Sequence, residues 1–210
     1  MNLKKPKFWD NKKPNIFAYF LYPLALLIKF ISYLKTKKNK SKVKIKTICV
    51  GNIYLGGTGK TSLSIKINEI LKKNNINSCF VKKYYKNQVD EQKLLESKGK
   101  LFLSSKRLDA LLQAKNENYE IAILDDGLQD HSIEYDVRFV CFNNINWKGN
   151  GMTIPAGPLR EEFTNIKKYD NRCINNIEDI KDNKSTVLFG AKNGKCGKIN
   201  YAETKGDWNL

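Results

Sequence analysis

The chain has 210 residues, 41% of them hydrophobic, and a formal net charge of +17, which is room for one sizeable α/β domain with a small appendage and too little for two full domains. The charge invites a nucleic-acid reading, but only Arg107, Arg138, Arg160 and Arg172 among the 38 basic residues are arginine; base edges and bidentate phosphate contacts favour arginine, the sequence carries no nucleic-acid module, and nucleic acid is set aside as a partner. Cys49, Cys79, Cys141, Cys173 and Cys196 are scattered without a C-x-x-C pair, which argues for free thiols over a disulfide framework or structural zinc, and His131, the one histidine, excludes any His-pair mechanism within the chain.

The first element is the apolar run 16–34, "IFAYFLYPLALLIKFISYL", flanked by lysine-rich segments on both sides. As a helix it would be about 28 Å long, close to the ~30 Å hydrocarbon core of a bilayer. Ala18, Tyr22, Ala25, Lys29 and Ser32 recur at steps of four and three, so the small and polar residues share one face. That pattern favours a helix lying in or against a membrane, with the lysines after it drawn to anionic lipid headgroups. A helix packed on its own domain is the plainer alternative. A secretory signal fits less well, because no small-residue cleavage site follows.

From residue 43 strands and helices alternate. "TICVGN" (47–52) reads as a buried strand, and after a glycine-rich loop Leu63, Ile67, Ile70 and Leu71 form a helical stripe that ends at "KKNN". A strand at "SCFVKK", a helix over "DEQKLLES", a strand at "LFLSS" and a helix over "RLDALLQAK" follow. Next come the strands "EIAILDD" and "DVRFVCF", and a last one at "TVLFG"; the tail beyond residue 191 has no clear periodicity. Short units of this kind predict an α/β fold of the phosphate-loop NTPase type, a mostly parallel sheet with flanking helices preceded by the N-terminal membrane-associated helix.

Two features carry chemistry. In "ICVGNIYLGGTGKTSL" (48–63) a strand, a glycine loop and a helix follow one another, so backbone N–H groups over Gly56, Gly57, Thr58, Gly59, Lys60, Thr61 and Ser62 can wrap the phosphates of a nucleotide. Lys60 can reach the β- and γ-phosphates and Thr61 can hold Mg2+. Tyr54 stands where the general G-x-x-x-x-G-K-[ST] pattern has its first glycine, which weakens the match; a glycine turn with an incidental lysine is the alternative. The second feature is the pair Asp125 and Asp126 at the end of "EIAILDD", where a parallel sheet presents ligands and a carboxylate can bind Mg2+ directly or through water.

The segments "VGNIYLGGTGKTSL", "VDEQKLL", "ILDDGLQD" and "GNGMTIPAGPLRE", in that order after an apolar helix, resemble the tetraacyldisaccharide 4'-kinase (lipid A 4'-kinase) family over roughly residues 8–180. The resemblance implies an ATP- and Mg2+-dependent kinase that phosphorylates the 4'-hydroxyl of tetraacyldisaccharide 1-phosphate in lipid A biosynthesis. It would work at the cytoplasmic face of the inner membrane of a Gram-negative bacterium, with the lipid A disaccharide precursor and inner-membrane lipids as its partners and no obligate protein partner. It carries Gly57, Gly59, Lys60 and Thr61 over as the nucleotide and metal site, and Asp125 and Asp126 as the acidic pair. Asp90 matches the Asp of the family's G-D-E-P segment, implied as the catalytic base acting with Lys60; read without the family it is a first-turn helix carboxylate. Arg160 and Glu161 match an R-E pair near the site, and Gln129 is a weaker substrate candidate.

On this reading residues 1–42 are the membrane-associated helix and its basic flanks, 43–191 the phosphate-loop kinase domain and 192–210 a tail. Three departures stand out. The stretch between "VKKYY" and "VDEQ" is short and lacks the family's S-R-G-Y-G segment, His131 sits one position beyond the family's usual histidine and reads as structural, and the family's C-terminal part with its F-x-D-H-H-type segment is missing, as in a fragment or a shortened variant. Two rivals remain open: a catalytically degenerate truncated kinase, and a membrane-associated partitioning-type ATPase switch. Leu55 and the "PAGPLRE" segment tell against the switch, which carries a signature lysine before its paired glycines.

Overall fold

The computed structural model of the protein describes residues 5–36, 40–143, 147–169, 171–175, 186–191 and 196–200. In chain order its elements are α1 (Ile16–Thr36), β1 (Lys46–Asn52), α2 (Lys60–Lys73), β2 (Ser78–Lys83), α3 (Val89–Lys98), β3 (Leu101–Ser104), α4 (Arg107–Asn116), β4 (Ile121–Asp125), β5 (Val137–Asn143), β6 (Asn171–Asn175), β7 (Thr186–Ala191) and β8 (Cys196–Asn200). The chain forms two compact units, one of residues 36–52 and 59–139, the other of residues 1–35, 53–58 and 140–210.

In the first unit the strands run β3-β2-β4-β1, with β5 next beyond β1. The pairings β2 with β3, β2 with β4 and β1 with β4 are all parallel, in registers that set Val81 beside Phe102, Phe80 beside Ile123 and Val50 beside Asp125. Helices cover such a sheet, so its strands read as near-continuous apolar runs. Cys49, Val50, Phe80, Val81, Ile123 and Leu124 are all fully buried, each aliphatic or aromatic side chain among them stabilising the fold by roughly 1.5–3 kcal/mol. Helix α2 packs on β1, β2 and β4, and α4 on β2 and β3. Leu63 turns inward from α2 and Ala110, Leu111 and Ala114 from α4, as the helical spacing requires.

In the second unit α1 buries Ala18 and Ala25, and Lys29 makes an ion pair with Glu162. The small-residue face is thus the one turned to protein. Phe20 (83% exposed) and Ile16 (79%) point away from it, together with Phe17 and Phe30. By length and composition Ile16–Leu34 could cross a membrane. The segment before α1 is anchored by Trp9, whose indole N–H donates to the Pro155 carbonyl (3.0 Å) and whose carbonyl accepts the Asn150 N–H (2.9 Å). Gly149 must be glycine there. Its φ is +56° and a Cβ would lie 2.3 Å from the Trp9 carbonyl oxygen.

Strands β6, β7 and β8 pair antiparallel, Cys173 opposite Phe189 and Leu188 opposite Lys198. The strand β8 lies in the tail where the sequence shows no periodicity, whereas residues 201–210 fall outside the described residues.

Candidate functional site

Strands β2, β4 and β1 end side by side, and the polar residues at those ends occupy the rim where an open parallel sheet takes its ligands. Asp125 closes β4 with its side chain wholly buried. Its Oδ1 accepts the Ser64 hydroxyl at 3.1 Å, and its Oδ2 accepts the Thr61 hydroxyl at 3.4 Å and the Lys82 ammonium at 2.6 Å. Two elements, α2 and β2, thus converge on one carboxylate of β4.

Helix α2 opens at Lys60 immediately after Gly59, whose φ of 77° places it in the left-handed region. The first turn of α2 carries no acidic residue, so its N–H groups and dipole favour an incoming anion. The Lys60 amine stands 4.0 Å from Glu91 Oε1. Asp90 is the second residue of α3 and is exposed; its neighbour Glu91 turns inward and accepts Lys82 Nζ at 2.6 Å. Burial works against the Lys82 charge, but the charge and hydrogen bond of Asp125, followed by those of Glu91, outweigh it and hold the ammonium above the ordinary lysine pKa.

The turn after β4 explains its own sequence. Asp126 adopts φ +57°, its N–H donates to the Val50 carbonyl (2.8 Å), and its carbonyl accepts Arg107 Nη2 (2.6 Å). A Cβ on Gly127 would lie 2.9 Å from the Cys49 sulfur and 3.3 Å from the Tyr135 hydroxyl, so only glycine fits. Gln129 donates from Nε2 to the Asn52 carbonyl at 2.9 Å, tying this turn to the last residue of β1. Arg107 also reaches Asp130 at 3.4 Å. Although burial raises the Asp130 pKa, the Ser132 hydroxyl and N–H and the Arg107 charge bring it below the ordinary value.

The other unit holds the first half of the glycine loop. Tyr54 is 1% exposed, its backbone bridges to Leu159, and the next N–H, of Leu55, donates to the Pro158 carbonyl at 2.8 Å. The Tyr54 hydroxyl donates to Asp10 and accepts from Lys5. Burial and the adjacent Asp10 carboxylate raise its pKa. Tyr54 is therefore a core residue of the loop's base. Gly56 has φ 151° and a Cβ there would lie 3.2 Å from the Tyr54 ring, while a Cβ on Gly57 would have no atom within 4 Å. Thr58 is buried at 2% exposure. The Arg160 N–H donates to the Ile53 carbonyl at 2.7 Å. Glu161 accepts from Asn165 (3.0 Å) and from the Tyr169 hydroxyl.

Among the sequence candidates the structure gathers Lys60, Thr61 and Asp125 within one unit, sets Asp126 and Gln129 on the turn that follows, and puts Asp90 on the helix whose next residue meets Lys60. Lys82 and Glu91 escape the sequence reading. Their one signal is a lysine next to last in a mostly apolar strand. Among the described residues no three or more His, Cys, Asp or Glu side chains cluster as a metal cage. Magnesium held largely by phosphates and water needs no such cage, and the Thr61 hydroxyl directed to Asp125 is a donor set that suits it.

A glycine loop between a strand and a helix, with an acidic strand end touching the helix's first turn, places the protein in the phosphate-loop class of α/β folds. The chain belongs to the tetraacyldisaccharide-1-P 4'-kinase family, whose sequence model matches residues 17–200. Relatives named tetraacyldisaccharide 4'-kinase include one from Pelagibacter ubique, 59% identical over 85% of this chain and 57% of its own length. Another, from Rickettsia canadensis, is 34% identical over 77% of this chain and 54% of its own length. The chain therefore spans a little over half the length of these relatives. The fold is similar to that of a crystal structure of LpxK from Aquifex aeolicus in complex with ATP, with a TM-score of 0.65 and 23% identity over 76% of this chain and 59% of that one.

Proposed function

We propose that the protein transfers the γ-phosphate of ATP to the 4'-hydroxyl of a tetraacyldisaccharide 1-phosphate, a step of lipid A biosynthesis. Family membership supports the substrate class. The observation that carries the reading is the contact of Thr61, in the first turn of α2, with Asp125 at the end of β4. That pairing joins a phosphate-binding helix end to an acid, as phosphoryl transfer requires.

In this reading Lys60 and the loop N–H groups over Gly56–Ser62 bind and orient the β- and γ-phosphates. Mg2+ held by Thr61 and by Asp125 through water would neutralise charge on the transferred group. Asp90 accepts the proton of the sugar hydroxyl, with α3 fixing its place beside the lysine that Glu91 touches. Asp126 and Gln129 hold the turn beside the loop, and Arg160 and Glu161 are candidates for the acceptor's phosphate and sugar. Helix α1 presents its large apolar side chains to the bilayer at the cytoplasmic face of the inner membrane, where a lipid acceptor and cytosolic ATP meet.

The test is transfer of labelled γ-phosphate to tetraacyldisaccharide 1-phosphate in detergent. Lys60→Ala should lower kcat/KM about a hundred- to thousandfold, and Asp90→Ala should lower kcat by about a hundredfold or more with nucleotide affinity kept. A wild-type chain that binds ATP and transfers nothing to this acceptor defeats the reading.

A further inference from the structure

We propose that Lys82 is a tethered cation of the site: its ammonium stands between Asp125 and Glu91 in the place a second divalent metal would otherwise take, so that the protein works with one metal ion. The inference rests on reading Lys60, Thr61 and Asp125 as the nucleotide and Mg2+ site.

Three observations carry it. Asp125 is completely buried and Lys82 is 1% exposed, yet both are side chains that water would solvate. A buried carboxylate without a cation is costly, and among the described residues Lys82 is the cation paired with Asp125. One nitrogen serves two acids at equal distance, 2.6 Å to Asp125 Oδ2 and 2.6 Å to Glu91 Oε2, so those oxygens lie no further apart than two such bonds. Two carboxylate oxygens that close, with the Thr61 hydroxyl on one of them, are the ligand chemistry of a hard divalent ion. Finally, the ammonium cannot wander. It projects from the end of β2, whose neighbours on either side are β3 and β4, and the short connection 84–88 to α3 is held by Gln92 donating to the Tyr85 carbonyl at 2.8 Å.

The consequence is a division of labour between two lysines sharing Glu91. Lys60, 4.0 Å from Glu91 Oε1, is loosely held and can move to a phosphate; Lys82 stays and keeps Glu91, and with it the first turn of α3 that bears Asp90, in register with the loop. Lys82 touches neither nucleotide nor acceptor in this scheme. It is a positioning residue acting through the two acids.

The experiment is a Mn2+ titration of the full chain, followed by the electron paramagnetic resonance signal of free Mn2+, with and without a non-hydrolysable ATP analogue. The wild type should bind one Mn2+ with the analogue and none without it. Lys82→Met should gain one Mn2+ per chain, bound even without nucleotide; Lys82→Arg should match the wild type, and Lys82→Met with Glu91→Gln should lose the gained ion. An unchanged count in Lys82→Met, or a gained ion that survives Glu91→Gln, overturns the proposal. Should Lys82→Met unfold in metal-free buffer, Mn2+ must restore its cooperative melting transition, and failure to do so overturns the proposal equally. A wild type that binds no nucleotide or phosphorylates no acceptor would defeat the kinase reading alone, because the nucleotide-free comparison of Lys82→Met with wild type stands apart from it.

Discussion

Each unit of the molecule has a lysine set between two oxygen acceptors, and the two clusters differ in what burial makes of the same chemistry. Lys82 joins Asp125 and Glu91 with its own side chain 1% and that of Asp125 0% exposed. Lys5 joins Asp10 and the Tyr54 hydroxyl with 28% and 42% of the two charged side chains exposed. Where water is absent the desolvation of each ion must be offset by the other, and loss of either leaves a stranded charge. Where water is present the solvent takes over when a partner goes. The first cluster is thus a structural commitment at the candidate chemistry, and the second is a trim on a packed aromatic ring.

The sharpest test of that contrast is to remove one charged partner from each. Asp125→Ala leaves the Lys82 ammonium buried against Glu91 alone, whose side chain is 38% exposed, and should cost about 3–5 kcal/mol in urea unfolding. Lys5→Ala should cost under about 1 kcal/mol. Equal losses would break the distinction between the two clusters.

Tyr54 separates packing from polar trim inside the second cluster. Tyr54→Phe keeps the ring that bears on Gly56 and removes one hydroxyl, so it should cost about 1 kcal/mol. Tyr54→Gly restores the general phosphate-loop pattern and empties a site that is 1% exposed; it should cost more, about 3–5 kcal/mol. Thermal melts of the two variants give the comparison. A Tyr54→Gly protein as stable as Tyr54→Phe would mean that the ring is not what holds the loop's base.

These same clusters mark where sequence reading succeeds and where it stops. The strands "SCFVKK" and "EIAILDD" and the helix after the glycine loop are legible because apolar periodicity is a local signal. Asp125 is legible as an acid at a strand end. Lys82 is not, because a lysine near the end of a strand ordinarily reaches solvent and its partner lies 43 positions away. Glu91 is hidden beside Asp90, which the family motif singles out. Tyr54 reads as an irregularity of the loop because the acid that occupies its hydroxyl is 44 positions back, in a segment that composition marks only as basic. The strand β8 is invisible for a related reason: "CGKIN" has no apolar alternation of its own and is made a strand by pairing with β7.

The smallest expected effect lies on the acid limb of stability. Asp10 is pushed up by burial, but the hydrogen bonds of Lys5 and Tyr54 and the Lys5 charge more than offset that and hold its pKa below the ordinary carboxylate value. Asp130 is depressed likewise, by the Ser132 hydroxyl and N–H and by Arg107, against the upward push of burial. A carboxylate with a lowered folded-state pKa adds stability above its ordinary range and loses it as pH falls through the folded value, so both groups act below about pH 4. Asp10 is 42% exposed and Asp130 20%. Solvent therefore screens Asp10 more strongly, limiting it to under about 1 kcal/mol. Asp130→Asn should flatten the loss of stability between about pH 4 and about pH 2 more than Asp10→Asn does, and added salt should erase the Asp10 effect first. If Asp10→Asn flattened the acid limb more, the exposed cluster would have to be tied down by more than the contacts of Lys5 and Tyr54, and exposure would no longer rank the two carboxylates.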